Sequence, residues 1–361
     1  MKFVVHKQVL MGKLKTLAEV KVNNSLDELL KCIVLEPKEN VLRLHATNLN
    51  TFLNLFVPIY NQQGEIAQKV AVEAKQFNKI INGLDDGEIY FEITDNKLII
   101  AQDNVKYQML LRNDVERYPI FEPNIDEKIL KEVDGSELVA MIDNVMFCAA
   151  KQDAMRALNG ALWDIENGTL RIVASDGYRL ALVEKKMTEE VSAEFILSLD
   201  ALKVLKKFLT LSNSYDVSFY DGNIAFVTQE GDIAIFKKIE EQYPDYKRVI
   251  PKQTNVSLTI KTAEFEKALK QIITTNFEKV LLTVKGSLKL HAHNSKTEVE
   301  IEIPIVEKQG NIEIAYNPKF LYEVLKKLGD TTTIQFIDET SPTKIANPEE
   351  GFLYIVLPVR V

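Results

Sequence analysis

One short pattern is written into this chain three times. Leu42-Arg43-Leu44-His45-Ala46-Thr47-Asn48, Leu170-Arg171-Ile172-Val173-Ala174-Ser175-Asp176 and Leu288-Lys289-Leu290-His291-Ala292-His293-Asn294 share an alternating strand that ends in a polar turn. Their opening leucines lie 128 and 118 residues apart. A helical signal recurs at nearly the same steps, because Phe77, Leu202 and Phe320 each head a lysine-rich apolar run, 125 and 118 residues apart. Self-similarity at a fixed period constrains architecture more than any single motif does. The chain is therefore expected to hold three copies of one domain.

Each copy opens with a helix-period segment. Leu10, Leu14 and Leu17, then Leu138, Ile142 and Val145, then Phe265, Leu269, Ile272 and Ile273 fall at spacings that share one helix face. Alternating strands follow, as in Val299, Ile301, Ile303 and Ile305 interleaved with Glu298, Glu300 and Glu302. A second helix is expected around Phe77, Ile80, Ile81 and Leu84, around Leu202, Leu205 and Leu209, and around Leu321, Val324, Leu325 and Leu328. Hairpin turns at Asp95-Asn96, Asp221-Gly222 and Asp338 come next, built from residues that tolerate unusual backbone angles. The linkers repeat too: Arg117-Tyr118-Pro119 precedes Pro123, and Gln242-Tyr243-Pro244 precedes Pro251. The expected class is α+β, with domains at 1–122, 123–251 and 252–361, each pairing two helices with antiparallel sheets.

Within 361 residues, 46% are apolar and 27% charged, the proportions of an ordinary globular protein. No run approaches the roughly 20 apolar residues of a membrane span, and no signal-peptide pattern opens the chain. Cys32 and Cys148 sit in apolar stretches and read as reduced core residues, so a cytoplasmic location is expected. The net charge of −8 argues against nucleic acid on its own, but distribution matters more than the total. Lysine gathers on the helices: Lys75 and Lys79; Lys203, Lys206 and Lys207; Lys319, Lys326 and Lys327. The first helices add Lys7, Lys13 and Lys15 in copy one and Lys261, Lys267 and Lys270 in copy three, whereas copy two has acids there. A solvated helix face explains any one of these, but recurrence on equivalent helices points to a surface that attracts phosphates without reading bases.

Catalytic signatures are missing from the sequence. There is no phosphate-binding glycine loop, nucleophile elbow or paired-histidine zinc helix. His291 and His293 share a strand face, but nothing in sequence completes a ligand set, so neither metal nor cofactor is expected.

Gln152-Asp153-Ala154-Met155-Arg156-Ala157-Leu158-Asn159-Gly160 with Ala174-Ser175-Asp176-Gly177-Tyr178-Arg179-Leu180-Ala181 resembles the middle domain of the bacterial DNA sliding clamps. Tyr243-Pro244-Asp245-Tyr246-Lys247-Arg248-Val249-Ile250-Pro251 and Tyr354-Ile355-Val356-Leu357-Pro358-Val359-Arg360-Val361 extend the likeness, which spans the whole chain. The resemblance implies a DNA clamp fold, in which two chains join head to tail as a six-domain ring with helices inside and sheets outside. It implies a processivity factor, not an enzyme, that encircles duplex DNA and tethers the replicative polymerase subunit. The clamp loader and repair or translesion polymerases are the other implied partners.

The resemblance also implies a peptide pocket, formed by Leu158, Ser175, Gly177, Tyr178, Arg179, Leu180, Pro244, Arg248, Val249, Val356, Leu357, Pro358, Val359 and Arg360. Tyr178 stands where the family often has histidine. Gln152 matches a family DNA contact, and Lys21, Lys75, Lys79, Lys203, Lys206 and Lys207 are the expected basic contacts. The first-domain loop Val22-Asn23-Asn24-Ser25-Leu26-Asp27-Glu28 lacks the family's arginine, which leaves Lys21 to take its part. Tyr107 and Met109 match one side of the dimer seam, Ile272 and Ile273 the other, and the two isoleucines have an equal claim on the core. A protein-only scaffold of repeated domains and an enzyme with an interdomain active site are the competing readings.

Overall fold

The computed structural model describes residues 1–22, 27–112, 114–121, 128–188 and 190–360, so the loop 23–26, Pro123 and Val361 lie outside the described residues. The first copy runs β1 (Lys2–His6), α1 (Lys7–Leu17), β2 (Cys32–Lys38), β3 (Val41–Thr47), β4 (Thr51–Pro58), β5 (Tyr60–Gln63), β6 (Val70–Glu73), α2 (Ala74–Gly83), β7 (Glu88–Ile93), β8 (Lys97–Gln102) and β9 (Val105–Leu110). The second runs β10 (Lys128–Asp134), α3 (Gly135–Val145), β11 (Gly160–Glu166), β12 (Thr169–Ser175), β13 (Arg179–Lys186), β14 (Ala193–Ser198), α4 (Leu199–Phe208), β15 (Ser214–Tyr220), β16 (Asn223–Thr228) and β17 (Ile233–Lys237). The third runs β18 (Val256–Lys261), α5 (Thr262–Thr274), β19 (Val280–Val284), β20 (Leu288–His293), β21 (Glu298–Ile303), β22 (Glu307–Gln309), β23 (Ile312–Tyr316), α6 (Pro318–Leu325), β24 (Thr331–Phe336), β25 (Thr343–Asn347) and β26 (Phe352–Val356).

The helices form where the apolar spacing placed them. In α2, Phe77, Ile80 and Ile81 are buried, and the Glu73 carboxylate accepts from the amides of Lys75 and Gln76 at 3.2 and 2.6 Å, satisfying two donors of the first turn. In α6, Asn317 caps Lys319 N at 3.0 Å and Pro318 occupies the first turn, where its missing N–H costs nothing. Among the described residues no helix is long and apolar enough to cross a membrane.

The repeated turn is one device built three times. Asn48 Oδ1 accepts from Asn50 N and Thr51 N at 3.1 and 2.9 Å, and Asp176 Oδ1 accepts from Tyr178 N and Arg179 N, both at 3.0 Å. Asn294 Oδ1 does the same for Lys296 N and Thr297 N, both at 2.9 Å. A short side-chain acceptor standing in for a backbone turn explains why Asn or Asp falls at this point in every copy.

The compact units do not follow the repeats. One comprises Met1–Val139 with Asp200–Lys238, the other Ala140–Leu199 with Ile239–Val361. The reason is edge pairing between copies. In the first unit β4 hydrogen-bonds antiparallel to β17, which gives an eight-stranded sheet of order β10-β15-β16-β17-β4-β3-β2-β6. A five-stranded sheet, β5-β1-β7-β8-β9, completes that unit. In the second unit β13 pairs with β26, giving a nine-stranded sheet of order β14-β11-β12-β13-β26-β25-β24-β18-β22, beside a four-stranded sheet, β21-β20-β19-β23.

Two first-helix lysines are used in packing. Lys7 Nζ donates to the carbonyls of Asn82 and Leu84 at the end of α2, satisfying acceptors that the helix leaves open. Lys13 pairs with Asp232 from the loop before β17. The two side chains are 13% and 1% exposed, and Asp232 Oδ1 also accepts from Phe56 N at 2.7 Å. Asp232→Ala is expected to leave a buried ammonium and a buried amide without partners and to lower unfolding free energy by about 3 kcal/mol, read from the denaturant midpoint. Adding Lys13→Met should recover a large part of that loss.

Candidate functional site

A cavity of about 290 Å³ opens in the second unit beside the Asp176 turn. The turn sets its lip. Gly177 adopts φ +84°, a left-handed angle costly for a residue with a Cβ, and Ser175 Oγ accepts from Gly177 N at 3.1 Å while donating to Arg179 O at 2.7 Å. Tyr178 thereby stands out at 66% exposure, and its carbonyl accepts from Leu357 N at 2.9 Å, which fixes the end of the chain to the lip. Leu180 and its cross-strand partner Ile355 form the floor with Leu158. The wall comes from the linker, where Tyr243 and Pro244 precede the 3-10 turn Tyr246–Val249. Tyr246 is held by its hydroxyl donating to the buried Asp164 carboxylate at 2.6 Å, and burial together with that carboxylate pushes its pKa up.

Met155, Tyr178, Val249 and Leu357 are between 36% and 66% exposed around this opening, so the rim is apolar as well as the floor. A concave apolar surface of this kind suits an extended segment carrying apolar side chains.

Of the residues expected here, Leu158, Ser175, Gly177, Tyr178, Arg179, Leu180, Pro244, Val249 and Leu357 come together around the cavity. Val356 does not line it. Strand alternation turns it to the opposite face from Ile355, where it is fully buried. Arg248 points to solvent and pairs with Asp245 at 2.8 Å. Pro358, Val359 and Arg360 lead away from it, because Val359 N donates to Ala315 O at 2.8 Å on the edge of β23. Met155, Tyr243, Asp245, Tyr246 and Ile355 also line the cavity and were missed. Period-two reasoning from Leu180 finds Ile355 once the pairing is known, but the linker residues read as a junction only.

Arg179 is built in more than it is displayed. Nε donates to Asp176 Oδ2 at 3.0 Å, one terminal nitrogen to Glu323 Oε2 and the other to Phe147 O at 3.0 Å. The guanidinium lies 4.4 Å from the Phe320 ring centre and 5.6 Å from that of Phe147. Burial opposes its charge, but Cys148, Tyr354 and Glu323 outweigh that and hold its pKa above the ordinary value.

The matching place at the first junction is filled. Thr47-Asn48-Leu49-Asn50-Thr51 repeats the turn, with Leu49 at φ +71°, but the linker residue Phe121 packs on Phe52 at 4.4 Å and on Tyr220 at 6.3 Å between ring centres. Ala225, Ile233 and Ile235 complete this cluster.

Two of the four histidines have carboxylate partners. His45 is buried between Asn54 Oδ1 at 2.7 Å and Glu36 Oε2 at 3.2 Å, with its pKa lowered by burial. His291 meets Glu298 at 2.7 Å, and among the described residues no group of three or more His, Cys, Asp or Glu could hold a metal.

Against known families, residues 1–122, 132–245 and 247–360 match the N-terminal, central and C-terminal domains of the DNA polymerase III beta subunit. The chain belongs to that family. It is a DNA sliding clamp of replication, a processivity factor rather than a catalyst. The beta sliding clamp of Proteus mirabilis is 26% identical over the full length of both chains. A crystal structure of the DNA polymerase III beta subunit of Thermotoga maritima superposes with a TM-score of 0.92 at 28% identity, covering 100% of this chain and 99% of that one. A Pseudomonas aeruginosa sliding clamp bound to griselimycin gives 0.91 at 23% identity, with both chains covered in full.

In this clamp Lys21 and Lys75 line one cleft of about 470 Å³, with Lys31 beside them. Lys79, one helical turn beyond Lys75, is exposed, as are Lys203, Lys207 and Gln152, while Lys206 is half-buried. Lys203 pairs with Asp200 at 2.8 Å. At the seam positions, Tyr107 and Met109 share one face of β9, where Tyr107 is exposed and Met109 buried. Ile272 is fully buried in the protomer's own core because it continues the stripe of Phe265 and Leu269; Ile273, one position on, is half-buried. Ile272→Asp is therefore expected to destabilise the protomer itself by more than about 3 kcal/mol, since it buries a carboxylate without a partner. Ile273→Asp should leave the denaturation midpoint of the protomer nearly unchanged.

Proposed function

We propose that two copies of this clamp close head to tail around duplex DNA and that the apolar groove beside Tyr178 captures extended peptide segments of the replicative polymerase. The clamp loader and repair or translesion polymerases would use the same groove, and all of this would take place in the cytoplasm. The observation that carries the reading is the groove itself: an open apolar cavity whose lip, floor and wall are each fixed by hydrogen bonds, in a chain of clamp lineage. A peptide held there keeps its enzyme at high local concentration after the enzyme lets go of the primer end. The three repeats, 1–122, 123–251 and 252–361, supply half of the proposed ring.

The free sheet edges support self-association. On the four-stranded sheet the outer edge of β23 is taken by Val359, whereas β21 offers its edge with Glu298, Glu300 and Glu302 exposed. On the five-stranded sheet β9 offers an edge carrying the exposed Lys106 and Tyr107. Among the described residues these two backbone edges are open, and edges of opposite charge favour pairing with each other over pairing with themselves. Exposed lysines on α2 and α4, with Gln152 and Lys21, would hold the duplex by salt-sensitive contacts that permit sliding.

Two measurements test this. Retention on nicked circular DNA should outlast retention on linear DNA with free ends, and equal loss from both rejects encirclement. Griselimycin, bound by the Pseudomonas aeruginosa clamp, would enter this same groove: Leu357→Ala should weaken its binding by about ten-fold, the effect of removing two or so buried methylene equivalents, while Val359→Ala should leave it nearly unchanged. Equal effects from the two variants would move the binding site elsewhere.

A further inference from the structure

Glu323 lies on α6 and does not line the groove, yet it sits at the start of a continuous chain of charged hydrogen bonds that ends in the lip. Its carboxylate accepts from Arg179. Arg179 donates through Nε to Asp176 Oδ2, and the other oxygen of Asp176 holds the amides of Tyr178 and Arg179. Tyr178 in turn carries the most exposed apolar ring at the groove and receives Leu357 N on its carbonyl. All three nitrogens of the Arg179 guanidinium donate, to Asp176, Glu323 and Phe147 O, and the rings of Phe147 and Phe320 lie within 5.6 Å of it. Its side chain is only 10% exposed. A guanidinium held in this way, with Asp176 as one of its two carboxylate partners, is placed to hold the turn.

We infer that Glu323 is a positioning residue for the groove, acting through Arg179 and Asp176 to hold the Tyr178 lip in its binding-ready place. The inference deepens the peptide-groove reading and rests on it. The third repeat thereby sets the shape of a lip that belongs to the second. Glu323 is the weak point of the chain: at 44% exposure it is the most solvent-open member, against 10% for Arg179 and 18% for Asp176. Removing its charge leaves the packing of Phe320 and Phe147 in place but leaves Arg179 with one anionic partner instead of two.

Tyr178→Trp provides a reporter on the lip, since the one native tryptophan, Trp163, is fully buried and gives a constant background. In that background Glu323→Gln should shift and broaden the emission of the introduced indole and lower its anisotropy, while Glu323→Asp should restore most of the signal. With native Tyr178, Glu323→Gln should weaken griselimycin binding by about five- to ten-fold, the effect of losing a charged hydrogen-bond partner. Combined with Arg179→Met, Glu323→Gln should add nothing further, because its effect travels through the guanidinium. An unchanged lip fluorescence, or additive losses in the double variant, overturns the inference. If the native clamp binds no griselimycin while the lip reporter still responds to Glu323→Gln, the positioning role stands and the ligand reading fails.

Discussion

Antiparallel edge pairing between neighbouring copies is the constraint on which the rest of this structure depends. β4 meets β17 and β13 meets β26, so a strand from one repeat completes the sheet of the next. Each pairing satisfies a row of backbone donors and acceptors that would otherwise face solvent as an exposed edge. Each is then secured by one local device. In the first unit this is the buried Lys13–Asp232 pair; in the second it is Gly351, at φ +61°, whose carbonyl accepts from Glu184 N at 3.0 Å. A Cβ at Gly351 would lie 2.3 Å from Glu184 O, so the close approach of the two backbones leaves room for glycine alone. The groove is a by-product of the same joint, because Leu180 and Ile355 are opposite members of the β13–β26 ladder.

Much of this was legible in the sequence, and for physical reasons. The alternating runs became strands and the three- and four-residue spacings became buried helix stripes, since periodicity reports which face meets the core. The threefold polar turn was legible as well, because only a few side chains can replace a backbone acceptor there. What could not be read were relations between distant segments. The pairing of β4 with β17 joins residues about 180 positions apart, and it moves the boundaries of the compact units away from the boundaries of the repeats. Val356 and Ile355 look equivalent in a run of apolar letters, and only the register with Leu180 decides which one faces the cavity. Ile272 continues a helical stripe, and its burial follows from that stripe rather than from any seam.

Charge shows the same division. A lysine on a helix is an exposed cation until the fold gives it a carboxylate or a set of carbonyls. Lys13 and Lys7 acquire those partners, while Lys75 and Lys79 stay on the exposed face of α2. Acidic charge is grouped locally as well, as in the three exposed glutamates of β21, so the net charge of the whole chain does not describe every surface.

The two junctions inherited the same turn but were finished differently. At one, Phe121 of the linker lies down on Phe52 and Tyr220; at the other, Tyr246 is drawn aside by Asp164 and the space above Leu180 stays open. Among the described residues, that aromatic plug fills the first junction, while the second keeps its groove. In the proposed ring, two protomers would offer two such berths at their second junctions, rival enzymes would take turns on a protomer, and the order of succession would be set by how fast each departs.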